Sequence, residues 1–475
     1  KTVLINKAEH DLLVIMEEDK QALDEVVVIG YGTAKKKDIT GAISSVSADK
    51  LKETPAVSLN QALQGKSAGV QVQLSDSPGG GVSVLIRGKG SINQSNDPIY
   101  VVDGIIMEGT LNNINVNDIA SIDILKDASA AAIYGSRAAN GVVIVTTKKG
   151  EEGKARVSFS ARTSFQSPSN LPKMLTAQEL AEIRIEGNVN SQMDAKFLAN
   201  PQMSIEEYRS EFNALKQQYA KELPTSMFSD VERQTLLAGE TYDWYDQISQ
   251  TGVVQDYTVS LSGGTNKTNY YISANYYDQK GIIKETYYNR INFRLNGTLN
   301  LSDYLKVGAN ISASRSKQDN KEAQGKETVI QHALMQAPIV KLDEATRDWG
   351  YPNLGITVYP NPLERLKETL DQTVQNKAAA SAWAEITFMK GLVFKSQYNY
   401  SYDGRVYEYY VPGNVTYNNN NVTLGKSNSQ SNNSWSIQNT LTYDALYGNK
   451  HALNVMLGQS ADATDKYRID GEATG

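Results

Sequence analysis

The sequence predicts a compact α/β unit followed by a transmembrane antiparallel β-barrel. Three observations predict it. From residue 156 onward the chain runs in long segments of period-two alternation, which give a strand one apolar and one polar face. Short and long connections between these segments alternate strictly, as in barrels with tight turns at one rim and extended loops at the other. Mean hydropathy is only −0.44, with no apolar run near the ~18 residues a spanning helix requires. A barrel that alternates lipid-facing and lumen-facing residues keeps its average hydropathy low.

The elements follow in order. Residues 1–5 (KTVLI) read as the interior of a strand and 12–16 as the next, so the chain is expected to begin inside a small β-domain. Residues 25–33 (EVVVIGYGT) form a β-branched run between charged flanks with no obvious strand beside it. Residues 38–150 read as one unit: strands at 39–46, 69–74, 82–87, 99–102 and 142–147, and a short helix at 58–63. Within it, residues 118–124 lead into an Ala-rich helix, DASAAAIYG, that Gly135 is expected to cap. Nine barrel strands are expected near 156–165, 256–263, 269–278, 290–301, 304–315, 378–389, 392–402, 435–446 and 451–460. The turns fall at 263–268, 302–303, 390–391 and 448–449, and the long loops at 166–255, 279–289, 317–377 and 403–434.

In the first long loop, Thr176 and Glu179 have capping-box spacing, and 205–223 is a second amphipathic stretch. Both helices are expected to pack on the outer face of the barrel. An odd number of strands cannot close an antiparallel cylinder, so the polypeptide is expected to continue past Gly475.

Composition narrows the chemistry. With 47 Lys+Arg against 53 Asp+Glu, the net charge of −6 argues against nucleic-acid binding. There are no cysteines, and the three histidines lie far apart, so no thiolate chemistry and no obvious metal site can be assembled. Glycines 79–81 precede a strand rather than a helix, which is the wrong context for a phosphate loop. Asp103-Gly104 reads as a turn. Arg87 has two readings: a partner for barrel-wall carboxylates, or an exposed charge at a strand end. The Asn-rich run 418–421 would suit sugar contacts. No catalytic constellation is visible, and an enzyme is not expected.

Three segments carry a resemblance: LDEVVVIGYGTAKKKDITGAISSV, VSVLIRGKGSINQSNDPIYVVDGI and DIASIDILKDASAAAIYGSRAANGVVIVTTKKG. They resemble the SusC/RagA type of TonB-dependent outer-membrane transporters, as does DWYDQISQTGVVQDYTVSLSGGTNKTNYYISANYYDQKGII for the early barrel. The resemblance implies a membrane β fold, an α/β plug domain inside a large transmembrane barrel of 22 strands, of which about nine are present. It implies that 1–23 end a carboxypeptidase-regulatory-like domain, 24–37 hold a TonB box and linker, 38–150 are the plug and 154–475 the first part of the barrel. The TonB box would be Glu25, Val26, Val27, Val28, Ile29 and Gly30, captured by a periplasmic energy-coupling protein through strand addition. The plug motif would comprise Arg87, Gly88, Asp103, Gly104, Tyr134 and Gly135.

The implied activity is import across the outer membrane of a Gram-negative, Bacteroidetes-type bacterium, with a SusD-like surface lipoprotein as partner. The cargo would be an oligosaccharide or, in some members, a peptide. No cofactor is implied.

Overall fold

A computed structural model describes residues 26–29, 32–35, 43–52, 59–73, 77–92, 95–107, 113–127, 132–169, 172–321, 328–339, 361–415, 422–448 and 451–475. Segment 1–23, and the 418–421 run singled out for sugar contacts, lie outside them.

The first described elements are β1 (Val26–Ile29) and β2 (Gly32–Lys35), which pair antiparallel as a two-stranded sheet. The β-branched start of the 25–33 run therefore does have a neighbour, a strand that begins within the same run. Two residues separate the strands, a spacing that permits a tight hairpin.

The α/β unit follows. It contains β3 (Ile43–Ser47), helices α1 (Ala48–Lys52) and α2 (Leu59–Ala62), β4 (Val70–Gln73), β5 (Ser83–Ile86), β6 (Ile99–Val102), β7 (Ile105–Met107), β8 (Ile119–Leu125) and β9 (Val142–Thr147). Five strands form a sheet in the order β3-β8-β9-β6-β7, with β6 and β9 parallel, while β4 and β5 pair separately. Central strands β8 and β9 are covered on both faces, which is why IASIDIL and VVIVTT read as nearly unbroken apolar runs. Ile122, Ile124, Val143 and Val145 pack with Leu51, Leu63 and Tyr100 in the main core. The described part of the expected Ala-rich helix begins a 3₁₀ segment, Ala132–Asn140, made of two helical pieces that meet at Gly135. At φ 68° and ψ −157°, Gly135 occupies a region essentially closed to other residues, so it kinks the segment.

Nine long strands complete the chain: β10 (Gly153–Gln166), β11 (Gly252–Gly264), β12 (Thr268–Lys280), β13 (Tyr287–Ser302), β14 (Leu305–Asp319), β15 (Leu370–Met389), β16 (Leu392–Val411), β17 (Leu424–Tyr447) and β18 (His451–Thr474). They form one sheet in sequential order, every neighbour antiparallel. The burial pattern is that of a barrel seen inside out. On β13, Ile291 and Phe293 are 59% and 44% exposed, while Arg290, Asn292, Arg294 and Asn296 are 3–6% exposed, Arg294 and Asn296 against the α/β unit. Apolar residues outward and polar residues inward are what a lipid-facing wall requires.

The last strands run further than alternation suggested: β17 and β18 have 24 residues each. At ~3.3 Å per residue that is about 80 Å of strand, whereas about 9–11 residues suffice to cross a bilayer. Of the added lengths, SNSQSNN in β17 is polar on both faces, and DATDKYRID in β18 keeps only Ala463, Tyr467 and Ile469 as apolar residues, on one face. Beyond the lipid neither face needs to be apolar, so the ladder persists after the pattern that revealed it has stopped.

The long connections gather at the rim opposite the short turns. The first carries α3 (Ala177–Ala199), α4 (Ile205–Glu222), α5 (Asp230–Ala238) and α6 (Trp244–Ile248). The third carries α7 (Val329–Met335) and α8 (Pro362–Glu368). The capping box forms as the spacing implied: Thr176 Oγ1 accepts from Glu179 N (3.2 Å), and Glu179 accepts from Thr176 N (2.8 Å). These helices do not pack on the outer face of the barrel. Ala181, Ile185, Val189 and Met193 of α3 meet Phe228 and Ile339. Trp244 and Ile248 meet Ile283, Val329, Ala333 and Leu366. Trp244 Nε1 also donates to Ala337 O (3.0 Å) and Tyr242 N to Pro338 O (2.8 Å). Three loops thus share apolar cores of their own, because none carries enough apolar surface to be buried alone.

Candidate functional site: the interface between plug and wall

The site begins at Asp103. Pairing of Val102 with Ile105 leaves Asp103 and Gly104 as a two-residue hairpin loop with φ of 50° and 87°. Positive φ at both positions is the type I′ signature, and Asp-Gly is among its preferred sequences. The turn reading therefore holds, but the carboxylate does more. It accepts from Thr147 N (3.0 Å) and Thr147 Oγ1 (2.7 Å), at the end of β9, and from Arg294 Nη1 (3.2 Å) in the wall.

Arg294 bridges to a second acid: its Nε lies 3.9 Å from Asp118 Oδ2. Asp118 Oδ1 accepts from Tyr271 Oη on β12 (2.9 Å). Asn296 Nδ2 donates to Thr147 Oγ1 (2.9 Å) and Lys148 O (2.6 Å). The Arg294, Asp103 and Asp118 side chains are only 8%, 6% and 3% exposed. One guanidinium faces two carboxylates out of water, and the donors from Thr147 and Tyr271 stabilise the remaining negative charge. Breaking such a set by removing one member leaves a buried charge uncompensated.

A second group of contacts runs along the wall. Asn115 and Asn117 donate to Thr258 Oγ1 (3.3 and 3.2 Å). Asn275 Nδ2 holds Asp256 Oδ1 (2.6 Å), and Arg162 Nη2 donates to Asp256 Oδ2 (2.9 Å). A third group lies toward the loop rim. Gly79 N donates to Gln279 Oε1 (3.2 Å) and Gln318 Nε2 to Pro78 O (2.6 Å). Gly79 has φ 60°, and a Cβ there would sit 2.1 Å from the Tyr288 ring. Only glycine lets this loop lie against that tyrosine.

Above these contacts is a polar cavity of about 520 Å³ between the 77–81 loop and the wall, lined among others by Gln318, Gln375, Lys377, Asp403, Arg405 and Asn432. Lys377 Nζ lies 3.3 Å from Asp403 Oδ2, and Gln375 Nε2 donates to Asp403 Oδ1 (2.7 Å). The lining is rich in amides and carries charges of both signs.

The site residues named from the sequence part ways here. Asp103 and Gly104 reach the wall: a Cβ on Gly104 would stand 2.9 Å from Gln397 Nε2. Arg87 does not. It pairs with Asp127 of the same unit (2.5 Å) and remains 55% exposed. Its φ of 60°, followed by 90° at Gly88, turns the chain at the end of β5 and carries the side chain back over its own unit. Beside that pair, Lys126 is pushed below its ordinary pKa, first by burial and then by Arg87. Tyr134 packs against Val101, Leu125, Val142 and Ile144. Val26–Ile29 lie in β1, while Glu25 and Gly30 fall outside the described residues. Arg294, Asp118, Tyr271 and Asn296 were not singled out from the sequence. Their signal is a polar residue at an inward position of an alternating strand, which marks a face but names no partner.

Comparison with known proteins accords with this architecture. Residues 35–142 match the model of the TonB-dependent receptor plug domain. The chain is 32% identical over 477 residues to TonB-dependent receptor P26 of Formosa agariphila, covering 97% of this chain and 43% of that protein. It is 35% identical over 315 residues to TonB-dependent receptor SusC of Bacteroides thetaiotaomicron, covering 64% of this chain and 27% of that one. Among solved structures it is similar to the RagAB peptide importer in the open-open state, with TM-score 0.73 and 27% identity, covering 95% of this chain and 50% of that one. It thus spans less than half the length of these curated relatives and about half of the RagAB chain. With an N-terminal plug tied to a nine-stranded antiparallel wall, the chain is similar to the plug and first part of the barrel of SusC/RagA-type TonB-dependent receptors.

Proposed function

We propose that this chain contributes the plug and under half of the wall to an active importer in the outer membrane of a Gram-negative, Bacteroidetes-type bacterium. Residues 24–37 would couple it to a periplasmic TonB protein, 38–150 would close the lumen, and 154–475 would build wall and loops, with 1–23 the end of a preceding carboxypeptidase-regulatory-like domain. The carrying observation is the placement of a polar cavity directly above a plug tied to the wall by buried polar contacts. Cargo held there would wait on movement of the plug. The loop-rim helices, with exposed Leu198, Ile205 and Leu237, would offer the surface for a SusD-like lipoprotein.

The cargo we favour is an oligosaccharide. Gln318, Gln375 and Asn432 present amide donors and acceptors to the cavity, the complement of a hydroxyl-rich chain. A peptide is the second reading. The RagAB neighbour is a peptide importer, and Lys377, Asp403 and Arg405 could meet peptide termini.

Calorimetry on the membrane-extracted protein decides between them, with neutral oligosaccharides titrated in one series and short peptides in another. Oligosaccharide binding that weakens in Asn432→Ala supports the first reading. Binding of peptides alone transfers the assignment to the second. Binding of neither removes the cavity as a cargo site and favours a surface-exposed adhesion role.

A further inference from the structure

We infer that the energy-coupling partner adds its strand to the open edge of an intact β1–β2 hairpin, so that Gly32–Lys35 belong to the coupling element together with Val26–Ile29. This inference rests on the coupling role proposed above for residues 24–37.

Register is the first ground. Val26 pairs with Lys35, Val27 with Ala34, Val28 with Thr33 and Ile29 with Gly32. The intervening pair in the sequence is Gly30-Tyr31, and glycine in the first position suits a type II′ hairpin loop, whose twist matches that of the strands. The sequence also places acids, Asp24 and Glu25, just before β1 and lysines, Lys36 and Lys37, just after β2.

The second ground is incompleteness. The sheet has two strands, so among the described residues each strand has one edge with no neighbour. A lone two-stranded hairpin is marginal in water, and a third strand brings it to stability. An incoming strand that keeps the hairpin gains a ladder without losing one. A strand that displaces β2 must first give up the pairs already made.

Composition selects the edge. β1 is Val-Val-Val-Ile, β-branched throughout. β2 is Gly-Thr-Ala-Lys, with a weak strand former at one end and lysine at the other. Lysine is a residue that blunts sheet edges against pairing. The adhesive edge is therefore that of β1, and the partner is an extended strand from the periplasmic side.

The chain has no cysteine, so one engineered pair tests the idea cleanly. In Val26→Cys/Lys35→Cys, oxidation ties the hairpin shut and reduction frees it, within the same polypeptide. The probe is the purified periplasmic domain of a TonB protein, titrated against the detergent-extracted transporter. The oxidised form is expected to bind as tightly as the reduced form or more tightly. A loss of threefold or more on oxidation overturns the inference, since the partner would then need the hairpin open. Ala34→Pro, which breaks the pairing from the β2 side, gives a second reading. Weaker binding is expected, and tighter binding overturns the inference. Val27→Pro separates the underlying assignment. If it binds like the unmodified chain, or the unmodified chain does not bind at all, the coupling role of 24–37 is wrong whatever the cysteine pair shows.

Discussion

Replacing Arg294 with leucine should unfasten the plug from the wall. The guanidinium lies 3.2 Å from Asp103 and 3.9 Å from Asp118, with all three side chains at most 8% exposed. Removing one partner of a buried pair typically costs about 3–5 kcal/mol, because the other charge is stranded. Taking about 3 kcal/mol and ~1.4 kcal/mol per decade, the plug's local opening equilibrium should shift by roughly a hundredfold. Thr147 and Tyr271 still donate to the two carboxylates, so the loss should sit at the lower end of that range. Arg294→Lys keeps the charge but not the fork, and should cost about 1.5–3 kcal/mol. Adding Asp103→Asn to Arg294→Leu should recover part of the loss, since one stranded charge is gone. Hydrogen exchange on the membrane-extracted protein reads this directly at β6, β7 and β9, and conductance in a planar bilayer reads leakage through the lumen. The reasoning is refuted if Arg294→Leu leaves protection at 99–107 and 142–147 unchanged.

Other predictions address the wall, the rim contact and the loops. Phe293→Lys places a charge on the outward face, where Phe293 is 44% exposed. At about 2–4 kcal/mol near the bilayer midplane, it should sharply reduce folded protein recovered from outer membranes, and a folded water-soluble product would contradict the barrel. Gly79→Val meets both the φ of 60° and the Tyr288 ring. A loss of about 2–4 kcal/mol from strain and overpacking should appear as faster proteolysis around 77–81, while Gly65→Val, with positive φ but open space beside it, should cost less.

His332 on α7 is fully buried, and burial, helped by Arg365, pushes its pKa from 6.5 down to about 4. The folded form therefore keeps the ring neutral where the unfolded loop takes up a proton. Stability falls as pH drops from about 6.5 toward 4, by roughly 2 kcal/mol at pH 5. Protection of α6, α7 and α8 should fall between pH 7.5 and 5, and His332→Gln should abolish the difference.

Much of this architecture is local and hence legible. Period-two alternation announced the nine wall strands, and strict alternation of short and long connections announced their arrangement. Asp103-Gly104 announced a turn because those two residues favour one, and Thr176 with Glu179 announced a helix start. The strand at 26–29 was equally local. Its partner strand passed unnoticed because Gly-Thr-Ala-Lys is a poor strand by composition and gains its place only by pairing.

Tertiary structure decided the rest. Asp103 and Arg294 are 191 residues apart, and nothing near either one specifies the other. Alternation turned Arg294 inward, but only the docked plug brought two carboxylates to it. Arg87 has the same chemistry, yet the backbone turn at φ 60° aimed it at Asp127 instead. The loop helices carried amphipathic patterns that could have served against any apolar surface, and it was the meeting of three loops that supplied one. By itself the sequence determined which face of each element is polar and where the chain turns, since these depend on neighbours a few residues away. Which polar face meets which depends on how distant segments close upon each other in space, and no local pattern records that.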